Sequence, residues 1–126
     1  MPLARIDIPA GQTDQYRAAV EEAVQVALHA ALGVPMQERF QIISEHGAGT
    51  LVIDPGYLNI ARTPQAIIIQ VVLNEGRDAA RKKSFFKALA NELHARIGMR
   101  REDVVINLVE VKRENWSFGN GEAQLA

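Results

Sequence analysis

The 126-residue chain contains its own repeat. A shift of 65 positions aligns two halves without a gap: Gly11 falls on Gly76, Ala23 on Ala88, Gly33 on Gly98, Leu28-His29-Ala30 on Leu93-His94-Ala95, and Glu45 on Glu110. The apolar positions between these identities match as well, Ile6 with Val71, Ile8 with Leu73, Val20 with Phe85, Val24 with Leu89 and Leu32 with Ile97. Two unrelated amphipathic helices can share a periodicity, but they do not share turn glycines at the same offsets. The halves, 2–46 and 66–111, are therefore copies of one structural unit.

Each unit reads strand, turn, helix, turn, strand. Leu3 to Ile8 alternates, with Ala4, Ile6 and Ile8 on one face. Pro9-Ala10-Gly11 ends that strand, and Thr13 or Asp14 can cap a following helix by accepting from its free N–H groups. Tyr16, Val20, Ala23, Val24, Ala27, Leu28, Ala31 and Leu32 recur at helical spacing and form one apolar stripe. Gly33 supplies the stop, Pro35 follows, and Arg39 to Glu45 is the second strand. In the other half Ala66 to Leu73 is strand, Asn74-Glu75-Gly76 is turn and Asp78 is the cap. The second helix turns Phe86, Leu89, Ala90, Leu93 and Ile97 inward, Gly98 stops it, and Asp103 to Val111 is the last strand. Residues 47–65, rich in Gly, Pro, Asp and Asn, join the halves.

A strand-helix-strand unit makes parallel strands. Two units predict a single domain over 1–126: an α/β (α+β) four-stranded sheet with both helices on one face. Ile67-Ile68-Ile69 and Val71-Val72-Leu73 are apolar at odd and even positions alike, so the central strand is expected to be buried on both faces. Two helices cover only one. Another copy of the chain is the expected cover for the second, and an oligomer follows.

Composition excludes other classes. With net charge −1 there is no basic excess to hold a phosphate backbone, so no nucleic acid is expected as a partner. No cysteine is present, which removes disulfides, thiol catalysis and Cys-ligated zinc. No apolar run is long enough for a membrane span, and the first residues lack the plan of a signal peptide, so a cytoplasmic location is expected. His29 and His94 occupy matching helical positions and are expected to face solvent. His46, beside Glu45 in a Gly-rich loop, makes no metal site alone. Neither a P-loop nor a dinucleotide glycine motif occurs, and no cofactor or metal is inferred.

The start Met1-Pro2, the stretches Gly33-Val34-Pro35, Arg39-Phe40 and Phe85-Phe86-Lys87, and the C-terminal Asn115-Trp116-Ser117-Phe118-Gly119 carry a resemblance. Together with the doubled β-α-β plan they make nearly the whole chain resemble the tautomerase superfamily, and within it the malonate semialdehyde decarboxylase branch. The resemblance implies a tautomerase-like fold, a homotrimer, and an amino-terminal proline as catalytic group. Removal of Met1 would give Pro2 a free secondary amine. A model α-amino group titrates at about 7.7–8.0, and burial or a nearby cation lowers that value. Such an amine is a useful base near neutral pH, able to take a proton alpha to a carbonyl and return it elsewhere.

An anionic substrate needs a positive partner. Arg77 begins the second helix just after the turn, where a guanidinium and free N–H groups both favour a carboxylate. In the resembling decarboxylase two arginines flank a proline here. Arg77 matches the second, and nothing in Asn74-Glu75-Gly76 matches the first, which departs from the decarboxylase pattern. Glu38 falls where the family carries an acidic residue that activates water or orients the substrate. Arg62 is a further candidate cation, and Trp116 and Phe118 resemble the aromatic wall of the pocket. The reading is a cofactor-free tautomerase acting through Pro2 on a small enolisable keto acid. Its alternatives are a decarboxylase or hydratase of a three-carbon oxo acid, or a non-catalytic trimer of the same fold.

Overall fold

The repeat is realised element by element in the computed structural model, which describes residues 1–126. The first unit is β1 (Leu3–Pro9), α1 (Asp14–Leu32) and β2 (Gln41–His46). The second is β3 (Ile67–Asn74), α2 (Ala79–Ile97) and β4 (Val104–Val111), and three single 3₁₀ turns lie at Tyr57–Asn59, Arg101–Asp103 and Arg113–Asn115. Strand order is β2-β1-β3-β4. Each unit contributes a parallel pair, β1 with β2 and β3 with β4, and the units meet through antiparallel β1 and β3, with Leu3 opposite Val72 and Asp7 opposite Ile68.

The repeated residues do the same work twice. Thr13 and Asp78 each cap a helix, accepting from the N–H of Tyr16 and Arg81. Of the two capping candidates in the first half, Thr13 takes the role. Arg17 Nη1 meets Glu45 Oε1 at 2.6 Å, and Lys82 Nζ meets Glu110 Oε1 at 2.5 Å, each tying the first turn of a helix to the end of its unit's second strand. Gly33 and Gly98 stop the helices with φ of 71° and 66° and donate their N–H to carbonyls of the last turn. His29 Nδ1 lies 2.9 Å from Val34 O and His94 Nδ1 3.2 Å from Met99 O. Both residues are exposed as expected, and both pin the chain that leaves the helix. The identities at Leu-His-Ala and Gly thus mark one helix-ending device used in both halves.

Under the helices the core is continuous. Ala4, Ile6 and Ile8 of β1 and Ile67, Ile69, Val71 and Leu73 of β3 are buried against Val20, Val24, Leu28 and Leu32 of α1 and Phe85, Leu89 and Leu93 of α2. Phe85, not Phe86, is the aromatic side chain buried completely; Phe86 packs partly buried at the core margin. Position 85 is one turn before Leu89 and so shares its face. Asp103, at the start of β4, is buried and satisfied: it accepts from Thr63 N at 2.8 Å and Thr63 Oγ1 at 2.6 Å.

Within one chain only one face of the central strand is covered, as the count of two helices requires. The odd residues of β3 are buried, but Ile68, Gln70, Val72 and Asn74 are half-exposed on the opposite face. That open face is mixed: Gln70 Nε2 donates to Asn107 Oδ1 at 3.0 Å in its middle, and His46 Nε2 lies 2.7 Å from Asp7 Oδ1 at one side. His46 therefore ends β2 and does not sit in the glycine loop. Around those polar pairs Ile42, Val72, Val105 and Val109 form a partly exposed apolar surface, and Val52, Tyr57 and Leu58 extend it from the 47–65 loop. No helix of the fold is long and apolar enough to cross a membrane.

The helix stop gives a stability test. A Cβ on Gly98 would touch nothing, so only its left-handed backbone opposes a side chain. Gly98→Ala is expected to cost about 1 kcal/mol, and Gly98→Asn less, because Asn tolerates this conformation. Denaturant midpoints at one protein concentration check both.

Candidate functional site

Antiparallel pairing of β1 with β3 puts the start of the chain beside the end of β3. Pro2 is buried against the sheet, and the Met1 amine beyond it is half-buried. Three further segments converge there: the loop between α1 and β2, carrying Glu38; the turn between β3 and α2, carrying Asn74 and Arg77; and the 3₁₀ turn after β4, carrying Arg113. Their charges act on the amine. Burial pushes its pKa below the usual α-amino value, Glu38 pulls it back up, and Arg77 and Arg113 push it down further. The net displacement is downward, toward the neutral base. With Met1 attached the basic nitrogen is that of Met1, and the Pro2 nitrogen is an amide without a basic lone pair.

Each side chain is held from behind. Gln25, buried in α1, donates from Nε2 to Pro35 O at 3.1 Å and to Glu38 O at 3.0 Å, fixing the loop that presents Glu38. The second strand consequently begins at Gln41, two residues later than its pattern predicts, although Phe40 O still accepts from Ala4 N at 2.9 Å. Arg77 precedes the helix cap and lies outside the first turn of α2. Its Nε donates to Leu32 O at 3.1 Å and its Nη1 to Asn74 O at 3.2 Å. The guanidinium thus satisfies a free carbonyl at the end of α1 and braces its own turn, which engages two of the donor groups expected to face a carboxylate. Burial, and then Arg81, push its pKa down from the usual value, while Glu110 opposes the shift. It remains a cation.

Trp116 Nε1 donates to Asn74 Oδ1 at 2.7 Å. Its ring stacks on Phe118 with centroids 5.2 Å apart and 14° between planes, and Phe118 meets Phe40 at 5.6 Å. The three rings form a wall from the 3₁₀ turn to the loop after α1. The wall is open on one side, where Phe40 remains 44% exposed.

The structure therefore brings Pro2, Glu38, Arg77, Trp116 and Phe118 to one end of the sheet. It does not bring Arg62 there. Arg62 precedes β3, at the opposite end, and its Nη1 donates to the carbonyls of Asp54 at 3.1 Å and Tyr57 at 3.2 Å. Within one protomer it shapes the 47–65 loop. Sequence reading assigned no site role to Arg113, Gln25, Asn74 or Phe40, although Phe40 lies in a stretch that carries the resemblance, Asn74 in the predicted turn, and Gln25 stands as a polar residue among apolar helix positions. No group of three or more His, Asp or Glu side chains is placed to hold a metal ion.

The pseudo-symmetry provides an internal control. Shifted by the repeat, Pro2 becomes Ile67 and Glu38 becomes Asp103. The nitrogen at the second place is a peptide amide, and the carboxylate is consumed by Thr63 and Arg100. A cavity of about 320 Å³ lies at that second end, among Pro9, His46, Leu51, Ile53, Thr63 and Ala66. Its one titratable side chain, His46, is engaged with Asp7. Cavity size and chemistry separate here, and the chemistry lies with the charged cluster at the amine.

Two family models, both described as tautomerase enzyme, match residues 38–119 and 2–59. The probable tautomerase YusQ of Bacillus subtilis (strain 168) is 31% identical over 125 residues, covering 99% of this chain and 98% of that protein. A crystal structure of malonate semialdehyde decarboxylase superposes with a TM-score of 0.91 at 31% identity, over 98% of this chain and 95% of that one. A fused 4-OT symmetric trimer shares the fold, with a TM-score of 0.79 at 22% identity over 98% and 97% of the two chains.

The charge set around the amine makes a signed prediction. Glu38 favours the protonated amine and Arg77 the neutral one. Glu38→Gln is expected to lower the amine's pKa and Arg77→Ala to raise it. Titration of the amino-terminal group by NMR in the two variants reads both shifts; shifts of the same sign would contradict the assignment.

Proposed function

Since the chain belongs to the tautomerase family, we propose that it is a cofactor-free enzyme using the amino-terminal amine of Pro2, exposed by removal of Met1, as general base and then acid on a small enolisable keto acid. The observation that carries this reading is the set of groups gathered at the chain start: beside buried Pro2, the half-buried amine of Met1 has its pKa lowered by burial, raised by Glu38 and lowered by Arg77 and Arg113, a charge set that the Pro2 amine would inherit on removal of Met1. The base removes a proton alpha to the carbonyl. The C–H electron pair becomes the carbon–carbon double bond, the carbonyl π pair moves to oxygen, and the resulting ammonium returns its proton at the other position. In this reading Arg77 opposes the negative charge that develops on that oxygen. Glu38 orients the substrate or the ammonium, and Trp116 and Phe118 form the apolar side of the site.

A second reading, decarboxylation or hydration of a short oxo acid, is favoured by the likeness to malonate semialdehyde decarboxylase and by Glu38, which opposes the downward shift of the amine's pKa and so favours the ammonium. An ammonium acts as an acid in such chemistry. The closing test separates the two readings by product.

The same reading includes a homotrimer. The fused 4-OT that shares the fold is a trimer, and the partly exposed apolar residues on the open sheet face supply surface for subunit contact. Light scattering is expected to give three times the 13.9 kDa chain mass, and a stable monomer in dilute solution would remove this part of the proposal.

For activity, intact mass comes first and is expected to show a chain lacking Met1. Phenylpyruvate tautomerisation is then compared with malonate semialdehyde turnover in wild type and Pro2→Ala. General acid–base catalysis contributes about 10²–10⁴-fold, so the variant is expected to lose about 10²-fold, keeping a remnant because its primary amine is still basic. A rate unchanged by Pro2→Ala, or full activity with Met1 attached, would remove Pro2 from the mechanism. No turnover of either substrate would favour a non-catalytic trimer.

A further inference from the structure

The charged cluster at the amine contains one guanidinium that the fold does not use. Arg77 has two of its N–H groups committed to backbone carbonyls, Leu32 O and Asn74 O. Arg113 is exposed and its side chain makes no hydrogen bond or ion pair within the chain, so all five of its guanidinium donors are free.

Its backbone, by contrast, is well placed. Val111, the last residue of β4, stands opposite Asn74 in register, and Glu75 N donates to Val111 O at 2.9 Å. The 3₁₀ turn that follows is closed by Asn115 N to Lys112 O at 3.0 Å and Trp116 N to Arg113 O at 3.3 Å. The Trp116 ring then returns to Asn74 through Nε1. Arg113 is thus carried on a turn braced at both ends against the segment that bears Arg77. It is also near enough to the amine for its charge to act there. The groups facing the amine are then Glu38 from the α1–β2 loop, Arg77 from the β3–α2 turn and Arg113 from the turn after β4.

The two arginines differ in what they can do. A fixed guanidinium with part of its edge occupied suits a single oxygen at a defined place. A free planar fork suits a carboxylate, which it can hold through two parallel hydrogen bonds. We propose that Arg113 is the carboxylate-binding residue of this site, leaving Arg77 to the oxygen that gains charge. The assignment deepens the proposed function and rests on it for the identity of the reacting oxygen. It moves the carboxylate clamp from Arg77, where the sequence put it, to Arg113.

The experiment is built so that the two proposals fail separately. The first arm measures binding of 3-phenylpropanoate, a carboxylate that cannot enolise, by calorimetry to wild type, Arg113→Ala and Arg113→Lys. A hydrogen bond to a charged group contributes about 1.5–3 kcal/mol, so Arg113→Ala is expected to weaken binding by about 10- to 100-fold. Lysine restores part of it, because it keeps the charge and loses the fork. The thermal midpoint is expected to stay constant, since the side chain holds nothing in the fold. The second arm compares kcat/KM for phenylpyruvate and its methyl ester. Arg113→Ala is expected to cut the rate with the acid by far more than that with the ester, whose change reflects only the altered amine, so that their ratio falls. Unchanged affinity for 3-phenylpropanoate in Arg113→Ala, or no binding by wild type, overturns the assignment of Arg113. Intact, Arg113-dependent binding with no turnover by wild type overturns the catalytic reading and leaves the carboxylate site standing.

Discussion

The pairing of β1 with β3 is the contact on which the rest of this molecule depends. It is the only strand pairing between the two repeat units, and it is antiparallel where the pairings within each unit are parallel. It joins two half-cores into one. It also decides where the amino terminus goes: because β1 and β3 run in opposite directions, Leu3 lies against Val72, and the chain start reaches the turn that follows β3. A parallel arrangement of these central strands would put Pro2 at the other end, far from Asn74 and Arg77. The site is a by-product of how the two copies meet.

Two equivalent units create two equivalent ends, and only one has an amine. At the other, Ile67 continues a chain that has already run for half its length, and its nitrogen is locked in a peptide. The residues around it have followed suit. Asp103, at the place of Glu38, is buried and turned to holding Thr63. A carboxylate with two hydrogen-bond donors in a dry place contributes to stability, while one half-exposed beside an amine tunes a proton. The repeat thus separates structural from chemical use of the same position.

Much of this architecture was legible in the sequence because it is written twice. Glycines at 33 and 98, caps at 13 and 78 and apolar stripes in register needed only local rules, and the structure reproduces them. The errors fall where a local rule met a tertiary partner. The start of β2 moved because Gln25 captures the preceding loop, a contact across 13 residues of sequence that no propensity encodes. Phe86 looked inward by spacing, yet Phe85 takes the core. Arg77 was expected to offer its whole fork to a carboxylate, but Leu32 O, in a different element, takes its Nε–H. For the site, the family resemblance gathered Pro2, Glu38, Arg77, Trp116 and Phe118, and the fold places them together. Arg113 carried no signal, since an arginine in a charged stretch after a strand resembles any surface arginine until the turn beneath it is seen to be braced.

The arrangement of charge has one more consequence for a base of this kind. Burial and two guanidiniums lower the pKa of the amine against the opposing pull of a single carboxylate. An arriving carboxylate adds a negative charge to the same cluster and offsets one guanidinium. The amine's affinity for a proton then rises. By linkage, protonation of the amine tightens the hold on the anion by the same factor. On the proposed reading the amine's pKa is lowered by its surroundings and rises once an anionic substrate is bound, which makes it the stronger base. Proton transfer from the substrate carbon then creates an ammonium beside the bound carboxylate, an attraction that the neutral amine lacked. The interaction grows along the reaction, which is the condition for lowering a barrier instead of merely binding a ligand. The depressed amine, which in isolation looks like a weakened base, is in this setting the means by which substrate charge is converted into basicity.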